Sequence, residues 1–162
     1  MALACMIPGA AGRIHHLTIR DDTRFAFSIE NFGFYDGGQL FLNLHDVAAT
    51  PTGATHDMGF VVYLSNTDSG AMEEVQRAST TKECLLDIDT EAYPAVVMRI
   101  NPDPATWAAP LALNMSVVGN GMFDLMFTHC APIVAGTSAS FKLDYTFVNP
   151  GGNYLSAGEQ QR

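Results

Sequence analysis

Residues 25–47 read FAFSIENFGFYDGGQLFLNLHDV, and this stretch decides the fold class. Phe25, Phe27 and Ile29 alternate with Ala26, Ser28 and Glu30, so an extended chain puts the large apolar side chains on one face. Asn31-Phe32-Gly33-Phe34 breaks the rhythm, and Gly33 is expected to mark a bulge or bend. Asp36-Gly37-Gly38 tolerate positive φ and are expected to close a hairpin. The alternation then resumes, with Leu40, Leu42 and Leu44 on one face of a strand over residues 39–47. A period of two on both sides of a turn signal points to antiparallel β-structure.

The same period extends outward in both directions. Ile14, Leu17 and Ile19 open an earlier strand that ends at Asp21-Asp22, and residues 59–65 (GFVVYLS) form a nearly continuous apolar strand suited to a central position. Further strands are expected at residues 85–88, 95–100, 111–118, 122–128 and 140–148. Gly119-Asn120-Gly121 is read as a tight turn, and residues 48–57 and 101–110 as loops. Only residues 69–79 change character: Met72, Val75 and Gln76 recur at helical spacing, Ser69 can cap, and Glu73 and Glu74 fall in the first turn. About eight short strands with one helix in an insertion give an all-β protein, an antiparallel β-sandwich of jelly-roll kind. Residues 1–12 read as a leader remnant or added residues, 13–148 as one domain, and 149–162 as a polar linker.

Composition removes several functions. Eight Lys and Arg face 17 Asp and Glu, a net charge of −9, and no basic cluster offsets it. Such a surface repels phosphate backbones and anionic lipid, so no nucleic-acid partner is expected. No apolar run reaches the ~18 residues of a membrane span, and no nucleotide, metalloprotease or hydrolase motif occurs, so no cofactor and no catalytic residue are assigned. His15 and His16 are adjacent on a strand and must face opposite ways. His45, His56 and His129 are scattered and read as ordinary surface or strand histidines, so no metal is assigned. Asp87, Asp89 and Glu91 would align if extended, as a cation chelate or acid–base pair; the plainer reading is a solvated edge. Cys84 with His129 or His56 would suggest a nucleophile pair, yet Cys130 offers Cys84 a disulfide, and two separate buried thiols are the third reading. Asn114-Met115-Ser116 is an N-glycosylation sequon, with Leu111 and Leu113 facing one way and Asn114 the other.

Two end segments carry a resemblance. Arg13-Ile14-His15-His16-Leu17 through Asp21-Asp22-Thr23-Arg24, followed by Phe32-Gly33-Phe34, resembles the start of the lumenal domain of lung seven-transmembrane receptor family proteins, also called GOLD-domain seven-transmembrane-helix proteins. Asn149-Pro150 followed by Asn153-Tyr154-Leu155-Ser156-Ala157-Gly158-Glu159 is similar to the stretch that leads into that family's first membrane helix. Glu83-Cys84-Leu85 and Phe127-Thr128-His129-Cys130 sit where the family has its lumenal cysteine pair. The likeness covers residues 13–48 and 122–160; the middle is shorter than in animal members and closer to plant or algal ones.

The resemblance implies a GOLD-type β-sandwich, a signal peptide before it and a seven-helix membrane domain after it. It implies a Cys84–Cys130 disulfide and a lumenal, glycosylatable Asn114. It places the protein on the lumenal side of Golgi or related endomembranes, or on the extracellular face of the plasma membrane. The expected function is a protein- or ligand-binding module of a membrane-trafficking protein. The alternative is a receptor ectodomain that binds a small molecule or peptide and signals through the membrane domain, with a G-protein link; a carbohydrate-active jelly roll is a third reading. A flat or shallow groove favours the first of these, and residues 66–94 are expected to shape it beside a sheet edge.

Overall fold

Alternation is satisfied by two sheets packed face to face. The computed structural model describes residues 14–66, 70–117, 119–130 and 136–152. Its strands are β1 (His15–Asp22), β2 (Ala26–Phe34), β3 (Gln39–Thr50), β4 (Met58–Leu64), β5 (Ala95–Ile100), β6 (Leu111–Ser116), β7 (Gly121–His129) and β8 (Ser138–Val148), with helix α1 (Ala71–Thr81) between β4 and β5. The first sheet runs β1-β8-β3-β6 and the second β2-β7-β4-β5, with every neighbouring pair antiparallel. The β-sandwich expected from the alternation is therefore present. Residues 1–12, Ser69 and most of the 149–162 linker lie outside the described residues. Asn149, assigned above to the linker, is buried and belongs to the fold: it bonds the Gly33 carbonyl and the Tyr35 N–H.

Both glycine turns differ from expectation. β2 and β3 lie in different sheets, so residues 36–38 cross the sandwich instead of closing a hairpin, and residues 119–121 make the same crossing from β6 to β7. The crossings are stitched together: Asp36 Oδ1 accepts the Gly119 N–H at 2.8 Å, and Asn120 Oδ1 accepts the Asp36 N–H at 2.7 Å. Gly38 is required sterically, because a Cβ there would lie 2.4 Å from the Phe34 ring.

Gly33 is not the bulge. Pairing of β2 with β7 slips between Ser28 and Glu30, and the inserted residue changes the parity of the core positions from Phe27 and Ile29 to Phe32 and Phe34. A second slip, between His45 and Ala48, carries β3 on to Thr50, beyond the expected start of the loop. Parity changes there too, from Leu40, Leu42 and Leu44 to Val47 and Ala49.

The main core lies between the sheets, where Phe32 stacks on Phe147 at 4.5 Å and Phe127 meets Phe141 at 4.7 Å. β4 is buried on both faces. Met58, Phe60 and Val62 point between the sheets, whereas Val61 and Tyr63 point outward into a second cluster with Ala71, Val75, Ala78, Leu85, Leu86 and Met126. That two-sided burial explains the continuous apolar run at residues 59–65. The helix presents Ala71, Val75 and Ala78; Gln76, expected on that stripe, faces solvent. The strand expected at residues 85–88 is a 3-10 turn, Leu85–Asp87, because consecutive Leu85 and Leu86 both bury into this roof and cannot alternate. Residues 101–110 contain a second such turn, Pro104–Ala108, which buries Trp107. No helix among the described residues is long and apolar enough to cross a membrane.

Candidate functional site

The insertion after β4 builds a groove on the outer side of the second sheet. Cys84 leads into the Leu85–Asp87 turn and is joined by a disulfide to Cys130, which follows β7, with Cα atoms 5.1 Å apart. The bond fixes the turn to the sheet. Asp57 braces the same joint: its carbonyl accepts the Cys130 N–H at 2.7 Å and its carboxylate accepts Arg99 Nη1 at 2.7 Å. Arg99 also donates to the Leu86 carbonyl at 3.1 Å and to Asp87. β5 approaches so closely that a Cβ on Gly59 would fall 2.3 Å from the Met98 carbonyl oxygen and 2.9 Å from Leu86.

The resulting groove is a shallow depression of about 380 Å³. Ala78, Leu85 and Ile88 give it an apolar floor, and Glu74, Arg77, Glu83, Asp87 and Asp89 stand along it. Arg77 bonds both Glu74 oxygens, at 2.6 and 2.9 Å, and both Glu83 oxygens, each by a 2.8 Å bond. These bonds hold the Glu74 and Glu83 carboxyls below the usual carboxylate range. Four carboxylates against two guanidiniums, Arg77 on Glu74 and Glu83 and Arg99 on Asp87, leave the groove net acidic at neutral pH, suited to a cationic partner. Within the segment expected to shape a groove, residues 70–94 do so beside the edge strand β5, lying over the outer face of β4 and β5 and also roofing Val61, Tyr63 and Met126.

Asp87, Asp89 and Glu91 do not line up. Asp87 pairs with Arg99, Asp89 caps a turn by accepting the Glu91 and Ala92 N–H groups at 3.0 and 3.2 Å, and Glu91 is solvent-exposed. Among the described residues, Asp57, Cys84 and Cys130 are the three metal-capable side chains whose ligand atoms converge within 4.8 Å. With the disulfide closed their sulfurs are neither thiolate ligands nor nucleophiles.

The histidines are less scattered than their sequence positions. His15 and His16 do point to opposite faces: His15 stacks on Tyr145 and pairs with Glu30, whereas His16 Nδ1 donates to Asp144 at 2.6 Å on the outer face. His45 Nε2 lies 3.4 Å from the other Asp144 oxygen, so two histidines flank one carboxylate, and His16 foremost holds the Asp144 carboxyl low.

His56 and His129 form a buried pair with Nδ1 and Nε2 3.0 Å apart. His56 Nε2 donates to the Pro51 carbonyl at 3.0 Å, so its Nδ1 accepts and His129 Nε2–H donates. Burial first, and His56 second, push the His129 pKa down to about 4. The pair lies under the disulfide joint, one residue from Cys130 and one from Asp57. Strand register brings the two together: His56 precedes Met58 by two residues, and Met58 is the register partner of His129.

The other outer face differs. On the first sheet, Asn114 of β6 pairs in register with Phe41 of β3 and both side chains point to solvent. With Ile14, His16, Asn43, Asp144 and Thr146 they line a second shallow depression of about 380 Å³.

The described residues form a β-sandwich of two four-stranded antiparallel sheets. Residues 15–147 match the family model described as CAND6/7, N-terminal domain, and the chain belongs to that family. The match supports the resemblance to the N-terminal region of lung seven-transmembrane receptor family proteins.

Proposed function

We propose that this domain is the lumenal protein-binding module of a seven-transmembrane protein of the Golgi or secretory pathway, serving membrane trafficking and holding a cationic partner segment in the groove beside Cys84–Cys130. The observation that carries this reading is the groove itself: shallow, apolar-floored, rimmed by Glu74, Glu83, Asp87 and Asp89 and fixed in place by a disulfide. Small-molecule sites are typically enclosed and gather convergent polar groups. Here the polar groups pair with one another along an open surface, which favours a protein partner over the receptor reading with a small ligand. The disulfide favours an oxidising compartment.

Photo-crosslinking in native membranes tests the proposal, with the crosslinker placed at Asp89 of the full-length protein. The expected result is a discrete adduct that a Lys/Arg-rich peptide competes away and that Glu83→Lys abolishes. Adducts unchanged by both would remove the groove from partner binding.

A further inference from the structure

The bare face of the first sheet carries a modification signal next to an uncovered aromatic ring. β6 is one of the two edge strands of that sheet, and among the described residues β3 is its one neighbour. Asn114 and Ser116 of the sequon both point outward from it, while Met115 between them is buried. Among the described residues no hydrogen bond engages the Asn114 amide. Its register partner is Phe41, placing the two Cβ atoms about 4.5–5.5 Å apart on one face. Phe41 is 39% exposed and Ile14, in the same depression, 57% exposed, the two most notable apolar side chains left open on this side. Asn43, Asp144 and Thr146 beside them offer hydrogen-bonding groups to a polar ligand that also has apolar faces.

We propose that Asn114 carries an N-linked oligosaccharide whose first sugars lie on the Phe41 ring, so that a glycan covers this face as α1 covers the other sheet. In the reaction, Asn114 Nδ2 attacks the anomeric carbon of a lipid-diphosphate-linked oligosaccharide. A C–N bond forms, the glycosyl–phosphate C–O bond breaks, the lipid diphosphate leaves, and the amide gives up one proton. The sugar C–H groups then meet the electron-rich ring face, and the hydrophilic chain shields the open β6 edge from pairing with other strands. The inference rests on the lumenal placement proposed above and is independent of the groove.

The test has two arms. In the first, the native full-length protein is treated with an N-glycan amidase; a mobility shift and conversion of Asn114 to aspartate are expected. In the second, the chain is expressed through a eukaryotic secretory pathway and its melting temperature is compared with that of Asn114→Gln. The glycosylated form should melt about 2–4 °C higher, as expected for a modest contact in a domain of this size. That difference should vanish in Phe41→Ala and persist in Phe41→Tyr, which keeps the ring. Native protein unmodified at Asn114 overturns the proposal: modification in the secretory arm alone locates the error in the lumenal placement, and modification in neither locates it in the face. An equal shift in Phe41→Ala overturns the packing, and an unmodified chain that dimerises through Phe41 assigns the face to a second copy.

Discussion

β3 and β4 occupy equivalent places, each third in its sheet, yet their outward faces have opposite fates. Val61 of β4 is 0% exposed beneath α1 and the Leu85–Asp87 turn, whereas Phe41 of β3 stands 39% open. The inward faces obey one rule, with Leu40, Leu42 and Leu44 answering Met58, Phe60 and Val62. A sandwich needs only one apolar face per sheet. Apolar residues at both parities of β4 therefore require a third layer, and the insertion supplies it. The polar Asn43 and His45 flanking Phe41 require none.

The largest expected effect breaks the roofed side. Replacing Cys84 and Cys130 by Ala opens a loop of 46 positions, worth about 4 kcal/mol in the chain-entropy model. Chemical denaturation should show that loss, and hydrogen exchange should quicken first in α1. A loss confined to the main core would contradict the anchoring role.

Acid comes next. His129 titrates lower in the folded chain than the ordinary histidine value of 6.5, so the unfolded chain binds more protons between pH 6.5 and 4. Stability is then full above about pH 6.5 and falls as the pH drops through this window, by an amount on the order of 2–3 kcal/mol. The carboxylates held low, such as Asp22 and Asp144, lose their contribution at more acidic pH and do not account for the slope. His129→Gln, which keeps an N–H for His56, should flatten it in pH-dependent unfolding; an unchanged slope would place its origin elsewhere.

The direct contrast of the two strands is smaller. Val61→Ala should cost about 2 kcal/mol, because the roof cannot collapse fully into the space left behind. Phe41→Ala in the unglycosylated chain should change stability by no more than about 0.5 kcal/mol. Equal costs in denaturant titrations would erase the distinction between the faces.

The strands were legible because period-two patterning records which side chains face the core, whatever the topology. The crossings were not: Asp36-Gly37-Gly38 and Gly119-Asn120-Gly121 advertise tolerance of positive φ, which serves a sheet-to-sheet passage as well as a hairpin. The bulge was visible in principle as the parity change from Ile29 to Phe32, but a glycine drew the assignment to Gly33. The groove was legible as a segment and not as a surface, since its shape depends on Arg77 reaching both Glu74 and Glu83. His56 and His129 lie 73 positions apart, and nothing local to either marks the other. Asn114 was readable as a sequon, but its partnership with Phe41 exists only through the β3–β6 register.

Asp87 and Asp46 give a matched pair for the central claim that the roofed side binds the partner. Their side chains are 70% and 69% exposed, each carries one arginine or lysine ion pair, and they lie on opposite sides of the sandwich, Asp87 in the turn over the second sheet and Asp46 on β3 of the first. Carbodiimide footprinting should compare the full-length protein in native membranes with the purified domain. Asp87 and Glu83 are predicted to be protected several-fold in membranes while Asp46 labels equally in both; equal labelling of Asp87 and Glu83, with protection at Asp46 instead, would contradict the account.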